Sequence, residues 1–243
     1  MSSGWGFADS GVYTRRGVLA AGAGLFGVAA CAPFRPGRYG GLRSNRWLGA
    51  VRTLAVLEGE RVFTEGPAVA PDQSVFFTDL RSNRIMRFWP ATGAAAVFRE
   101  NSNGANGLAF DLQGRLLVCE GALGRITRID LTTADAVILC DRFANSPIDD
   151  VNDLEIDVQG RIYFTSRPRN QDPSQGNVSA LYRLDPGGSV SRLLARPSVQ
   201  MPNGLAISPN QSTLYLIDSN GQPGGRRVLE AYVARLAAER APE

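Results

Sequence analysis

The sequence predicts an all-β protein, a β-propeller assembled from four-stranded blades. Three observations carry that reading. A strand, polar turn and apolar strand recur four times in phase. The recurrences start 41, 46 and 51 residues apart, which is one blade of chain each. Further strand-like runs follow the copies. A β-sandwich also alternates strands and turns, but it does not repeat their turn chemistry in phase.

The first copy is Glu65-Gly66-Pro67-Ala68-Val69, a turn at Pro71-Asp72-Gln73, then Val75-Phe76-Phe77-Thr78-Asp79. The second runs from Asn106-Gly107-Leu108 through Gln113-Gly114 to Leu117-Val118-Cys119-Glu120. The third runs from Asn152-Asp153-Leu154 through Gln159-Gly160 to Tyr163-Phe164-Thr165-Ser166. The fourth runs from Asn203-Gly204-Leu205 through Asn210-Gln211 to Leu216-Ile217-Asp218. Third strands are expected at residues 84–88, 125–130 and 180–185, and fourth strands at 95–98, 136–140 and 190–194. After residue 226, Val228, Leu229, Tyr232, Val233 and Leu236 are spaced in a helix-like way, which leaves that segment's type open.

Composition narrows the chemistry. The chain has 243 residues and 26 Lys plus Arg, and every one of the 26 is Arg; there is no His. A Ser-His-Asp or Cys-His pair, a His-ligated zinc, a Schiff-base Lys and a P-loop Lys are all excluded. The net charge of +3 is scattered without a basic block, so nucleic acid is not an expected partner. Cys119 and Cys140 fall in the second and fourth strands of one blade. Strands two apart lie roughly 9–10 Å from each other, beyond the ~7 Å that a disulfide tolerates. Both read as small buried hydrophobes.

Residues 1–31 read as an export signal. Arg15-Arg16 precedes an apolar, small-residue run at 18–30 that ends in Val28-Ala29-Ala30-Cys31. The paired arginines resemble a twin-arginine signal and the Cys a lipobox, so Cys31 is the expected lipidation site, with plain cleavage near Ala30 or Ala32 as the alternative. Residues 32–50 read as a Pro/Gly tether and 51–243 as the propeller domain. The expected product is exported across a bacterial inner membrane to its periplasmic face, and touches the membrane by its lipid anchor alone.

Repetition has a chemical consequence. Glu65, Asn106, Asn152 and Asn203 hold one position in successive blades, at the start of the first strand, and first strands line a propeller's channel. One carboxylate and three amides form a hard-oxygen set, suited to Ca²⁺ or Mg²⁺. Asn-Gly is also a strong turn signal, so Asn106-Gly107 and Asn203-Gly204 read equally as turns. Asn152-Asp153 and Glu65 fit a turn less well and tilt the balance toward a site.

These motifs, with Thr64-Glu65-Gly66-Pro67, Asn83-Arg84-Ile85 and Pro202-Asn203-Gly204-Leu205-Ala206-Ile207-Ser208-Pro209, resemble the gluconolactonase, senescence-marker-protein and regucalcin family over residues 60–220. The resemblance implies a six-bladed propeller holding one divalent cation, Ca²⁺ first, with Mg²⁺ or Zn²⁺ as further candidates. It implies hydrolysis of sugar lactones or related cyclic esters, with a small-molecule lactone as partner. It assigns Glu65, Asn152 and Asn203 as metal ligands and Asn106 and Glu120 as substrate-pocket residues. Glu120 alternatively reads as a solvated strand end.

Two departures stand out. The family's late Asp-Gly motif, whose Asp serves as ligand and general acid or base, has no counterpart, since no Asp follows Asp218. Ser166 stands where the family commonly has Asp. The catalytic acid or base is therefore unassigned, with Asp153 and Asp218 as fallback carboxylates, and the chain reads as truncated after its fourth blade. A non-catalytic cell-envelope binding module that keeps a structural cation site is the alternative to a lactonase.

Overall fold

The computed structural model describes residues 53–57, 62–168 and 178–233; the expected export signal and tether at 1–31 and 32–50 lie outside them. Among the described residues there are seventeen strands, β1 to β17, fifteen of which form the blades of a β-propeller. Blade one is β1 (Thr64–Val69), β2 (Val75–Asp79), β3 (Arg84–Trp89) and β4 (Ala94–Arg99). Blade two is β5 (Ala105–Phe110), β6 (Leu116–Glu120), β7 (Arg125–Ile129) and β8 (Ala136–Cys140). A short ribbon, β9 (Arg142–Phe143) and β10 (Ser146–Pro147), leads into blade three. That blade is β11 (Val151–Ile156), β12 (Ile162–Ser166), β13 (Ala180–Leu184) and β14 (Val190–Ala195). Blade four contributes β15 (Pro202–Ile207), β16 (Thr213–Ser219) and β17 (Arg227–Val233). Within each blade neighbouring strands pair antiparallel in chain order.

The ambiguous segment after residue 226 is therefore a strand as far as Val233. Every residue of β17 pairs with β16, from Ser219↔Arg227 to Thr213↔Val233. Pairing along a formed edge outweighs the helix-like spacing of its apolar residues.

Period-two side-chain alternation builds the cores. Leu116 and Val118 of β6 face blade one with Phe76, Ile85 and Leu108. The intervening Leu117 and Cys119 face blade three with Leu154, Phe164 and Tyr182. Tyr163, Leu181, Leu205 and Leu216 fill the space between blades three and four. Both faces of β6 and β12 are thus covered, and all ten of their residues are buried. Burying Phe76 or Phe164 in full contributes about 1.5–3 kcal/mol each. Cys119 and Cys140 form no disulfide and lie in the core between blades two and three, and burial pushes the Cys140 thiol up to about 12.

The turn after the inner strand is repeated in blades two and three. Asp111 accepts from the backbone N–H groups of Gln113 and Arg115, and its Oδ2 lies 2.7 Å from Arg115 Nε. Asp157 does the same for Gln159 and Arg161, at 2.6 Å from Arg161 Nε. One carboxylate thus closes the turn and orients the Arg leading into the next strand.

Candidate active site at the mouth of the channel

The four inner strands β1, β5, β11 and β15 pack successively against one another, and Glu65, Asn106, Asn152 and Asn203 are the second residue of each. They stand inside strands, so the turn reading is set aside. Every inner strand breaks register at this point: between Glu65 and Ala68, Ala105 and Leu108, Val151 and Leu154, and Pro202 and Leu205. In blades two to four the extra pair is Asn106-Gly107, Asn152-Asp153 and Asn203-Gly204, each facing a single residue of the neighbouring strand. Such a β-bulge bends the strand and re-aims its side chains, which is how an ordinary sheet edge presents a site.

Close approach of the strands does the rest. A β-carbon on Gly66, whose φ is +52°, would stand 2.2 Å from the carbonyl oxygen of Asn106. One on Gly107 would stand 2.4 Å from Asp153 Oδ1. Only glycine lets consecutive inner strands come so near. The clasp is completed from the second strands. Thr78 Oγ1 lies 3.1 Å from the Glu65 carbonyl and 3.0 Å from that of Asn106 in the next blade. Thr165 Oγ1 accepts from the Asp153 N–H at 3.2 Å and donates to the Asn203 carbonyl at 2.8 Å.

These constraints bring the three asparagines into one chain of hydrogen bonds. With the Asn152 amide oriented to satisfy its neighbours, Asn106 Nδ2 donates to Asn152 Oδ1 at 2.6 Å and Asn152 Nδ2 donates to Asn203 Oδ1 at 2.7 Å. Asn203 Nδ2 donates onward to Ser219 Oγ at 3.1 Å. Asn106 and Asn152 are buried, while Glu65 and Asn203 are half-buried. Glu65 holds the equivalent register position on β1, beside Gly66 where that strand touches Asn106.

Two site residues were not assigned from the motifs. Arg167, just after β12, points Nη2 and Nε at Asn152 Oδ1, at 2.7 and 3.1 Å. It lies outside the repeat, and no spacing rule points to it. Asp153, known only as a fallback carboxylate, is 4% exposed. Its carboxyl reaches Gly107 of β5 on one side, accepts from the Leu205 N–H of β15 at 3.2 Å and abuts Gly204. It therefore crosses between inner strands directly beside the asparagine layer.

Other expected residues are not part of this cluster. Glu120 is neither a solvated strand end nor one of the convergent groups. It is 1% exposed, ion-paired with Arg125 at 2.7 Å, and accepts from Asn103 Nδ2 at 3.0 Å and Thr127 Oγ1 at 3.1 Å. Those bonds engage both carboxylate oxygens in holding blade two together. Asp79 does the same in blade one with Arg84 and the Phe63 N–H. Asp218 accepts from the Gln200 and Met201 N–H groups at 2.8 and 2.7 Å. Ser166, at this position in blade three, donates to the Asp149 carbonyl instead.

Among the described residues no three His, Cys, Asp or Glu side chains come together. A cation here would be held mainly by amide oxygens around Glu65, and in donor type that set fits a hard divalent ion. In the observed arrangement Arg167 and the Asn152 amide face two of those oxygens.

Residues 63–223 match the family described as SMP-30/Gluconolactonase/LRE-like region. The chain is 26% identical over 213 residues to a gluconolactonase of Zymomonas mobilis subsp. mobilis, covering 74% of this chain and 59% of that protein. It is 28% identical over 161 residues to the pentonolactonase XacC of Haloferax volcanii, covering 65% and 50%. Among solved structures, a gluconolactonase from Xanthomonas campestris superposes with a TM-score of 0.63 at 32% identity, over 72% of this chain and 59% of that one. The chain thus spans between half and three-fifths of the length of these relatives.

Proposed function

The chain belongs to the SMP-30/gluconolactonase/LRE-like family, and on that premise we propose that its site hydrolyses sugar lactones or related cyclic esters with one hard divalent cation, Ca²⁺ first. The observation that carries this reading is the convergence of Asn106, Asn152 and Asn203 at bulges of successive inner strands, with Glu65 in the same register. Glu65, Asn152 and Asn203 would hold the cation, and Asn106 would line the substrate pocket beside them. A bound cation supplies Lewis acidity toward the lactone carbonyl.

The protein's own groups have separate tasks. Glu65 brings the negative charge that three neutral amides lack. Asn106 Nδ2 presents an amide donor to whatever oxygen shares the mouth of the channel. Asp153 is the carboxylate we assign to proton transfer from the attacking water to the leaving alkoxide of the ring-opened hydroxy acid. Its burial between β5 and β15 keeps its position fixed.

Calorimetric titration of Ca²⁺, run beside a pH-stat assay on gluconolactone and a pentonolactone, tests the reading. Glu65→Gln is expected to weaken binding more than Asn106→Ala, and turnover is expected to fall when the metal is chelated. Equal Ca²⁺ affinity for Glu65→Gln and wild type would overturn the cation site. Absence of acid release from either lactone with Ca²⁺ present would overturn the activity. We further propose that the protein is exported and lipid-anchored at Cys31; recovery of wild type wholly in the soluble fraction, like Cys31→Ala, would refute the anchor.

A further inference from the structure

Arg167 is held at the site by its backbone as well as by its side chain. Its N–H donates to the Asp150 carbonyl at 3.1 Å, Ser166 before it is tied to Asp149, and Pro168 after it restricts its backbone to extended conformations. The guanidinium then meets Asn152 Oδ1 with two N–H groups, at 2.7 and 3.1 Å, while Asn106 Nδ2 reaches the same oxygen at 2.6 Å. A carboxamide oxygen has two lone pairs. Three donors leave none for a metal. Arg stays charged at any working pH, so the group on this oxygen is a permanent cation.

We propose that Arg167 is a built-in competitor for the divalent cation: guanidinium and metal exchange on Asn152 Oδ1, and the site changes between an arginine-filled and a metal-filled form. This rests on reading Glu65, Asn152 and Asn203 as a cation site. The guanidinium keeps the layer of amides supported while the metal is away. It also lowers metal affinity twice over, since the metal must displace two charge-assisted hydrogen bonds and then share the mouth of the channel with a displaced positive charge. The site consequently fills only at high free cation, and its occupancy responds to the cation level around the protein.

The test is calorimetric titration of Ca²⁺ into the wild-type chain and Arg167→Gln. Loss of hydrogen bonds to a charged group predicts tighter binding by the variant, by about tenfold to a hundredfold. A role confined to supporting the fold predicts the opposite, because a loosened site binds metal less well. Equal or weaker binding by Arg167→Gln, with wild type still binding, overturns the exchange and leaves the cation site standing. Failure of both proteins to bind Ca²⁺ overturns both. Should the variant not fold, the Arg167 Nε–H resonance of wild type, assigned by its loss in Arg167→Lys, is followed during titration. It is expected to move and saturate over the same Ca²⁺ range as the heat; a resonance that stays still while calcium binds overturns the proposal.

Discussion

Substituting Gly107 by Ala tests whether strand approach makes the site. The added methyl would lie 2.4 Å from Asp153 Oδ1, 2.6 Å from Asp153 Cα and 2.9 Å from the Asn152 carbonyl oxygen. These contacts fall roughly 0.5–1 Å inside ordinary contact distance. The carboxyl could rotate away, but the Cα and the carbonyl are backbone, so β5 and β11 must separate. Overpacking of this kind costs about 1–3 kcal/mol, and each kcal/mol lowers Tm by about 2–4 °C in a domain of this size. A Tm loss between about 2 and 12 °C is expected by scanning calorimetry. Separation also stretches the 2.6 Å bond between Asn106 and Asn152, so Ca²⁺ affinity and lactone turnover should fall with it. Gly204, at the same place in blade four, has its nearest atoms at 3.6 Å, and Gly187 has none within 4 Å. Ala at either position should therefore leave Tm close to wild type. If Gly107→Ala melts with Gly204→Ala and binds Ca²⁺ equally well, close approach of the strands is not what assembles the site.

Three further outcomes are expected. Asp153→Asn keeps the shape of the side chain and should lower lactone turnover by about 10² to 10⁴; turnover equal to wild type in a pH-stat would remove Asp153 from the proton path. Thr165→Val removes the hydroxyl that joins the Asp153 N–H to the Asn203 carbonyl and should cost about 1–3 kcal/mol in urea unfolding; a midpoint equal to wild type would contradict the clasp. Burial alone would raise the Asp79 carboxyl, but hydrogen bonds from Ser82, the Phe63 N–H and Arg84 outweigh it and hold the group below the usual carboxylate range. A depressed folded pKa contributes stability above the unfolded value that is lost as pH falls through the folded one, so Asp79→Asn should unfold more easily at neutral pH yet lose less as pH falls below about 4. Parallel acid curves for the two proteins would refute that linkage.

Much of this was legible because a propeller writes its plan repeatedly. Asn106, Asn152 and Asn203 align in sequence, and the alignment alone brings them to one channel mouth. The same repetition held a clue to Glu120. Asp79 and Arg84 are five residues apart, as are Glu120 and Arg125, and each pair faces directly across two neighbouring strands. That shared spacing marks a buried ion pair, which was legible before any resemblance was drawn. β17 was illegible because residues 227–233 carry no polar alternation, and only the edge of β16 decides their conformation. Arg167 was illegible for a different reason. It belongs to one blade only, and its place follows from the path of the chain after β12.

The uneven clasp between blades gives Arg167 and Asp153 a common rationale. Where blade one meets blade two, and where blade three meets blade four, a buried threonine hydroxyl reaches the carbonyl of the next site asparagine. At the corresponding position of blade two stands Cys119, whose thiol is a weaker donor than a hydroxyl. The step from β5 to β11 is therefore the one least secured from the second strand. It is also where side chains take over: Asn106 bonds Asn152 directly, Arg167 grips the same oxygen, and Asp153 packs against Gly107 while reaching the Leu205 N–H. The groups that secure this step belong to the asparagine layer itself, so on the proposed exchange the release of Arg167 from Asn152 Oδ1 would loosen the joint between blades two and three. Restoring a hydroxyl with Cys119→Thr should then stabilise that joint independently, raising Tm more in Arg167→Gln than in wild type. An equal increment in both backgrounds, read by a double-mutant cycle, would show that the thiol position and the arginine do not share the load.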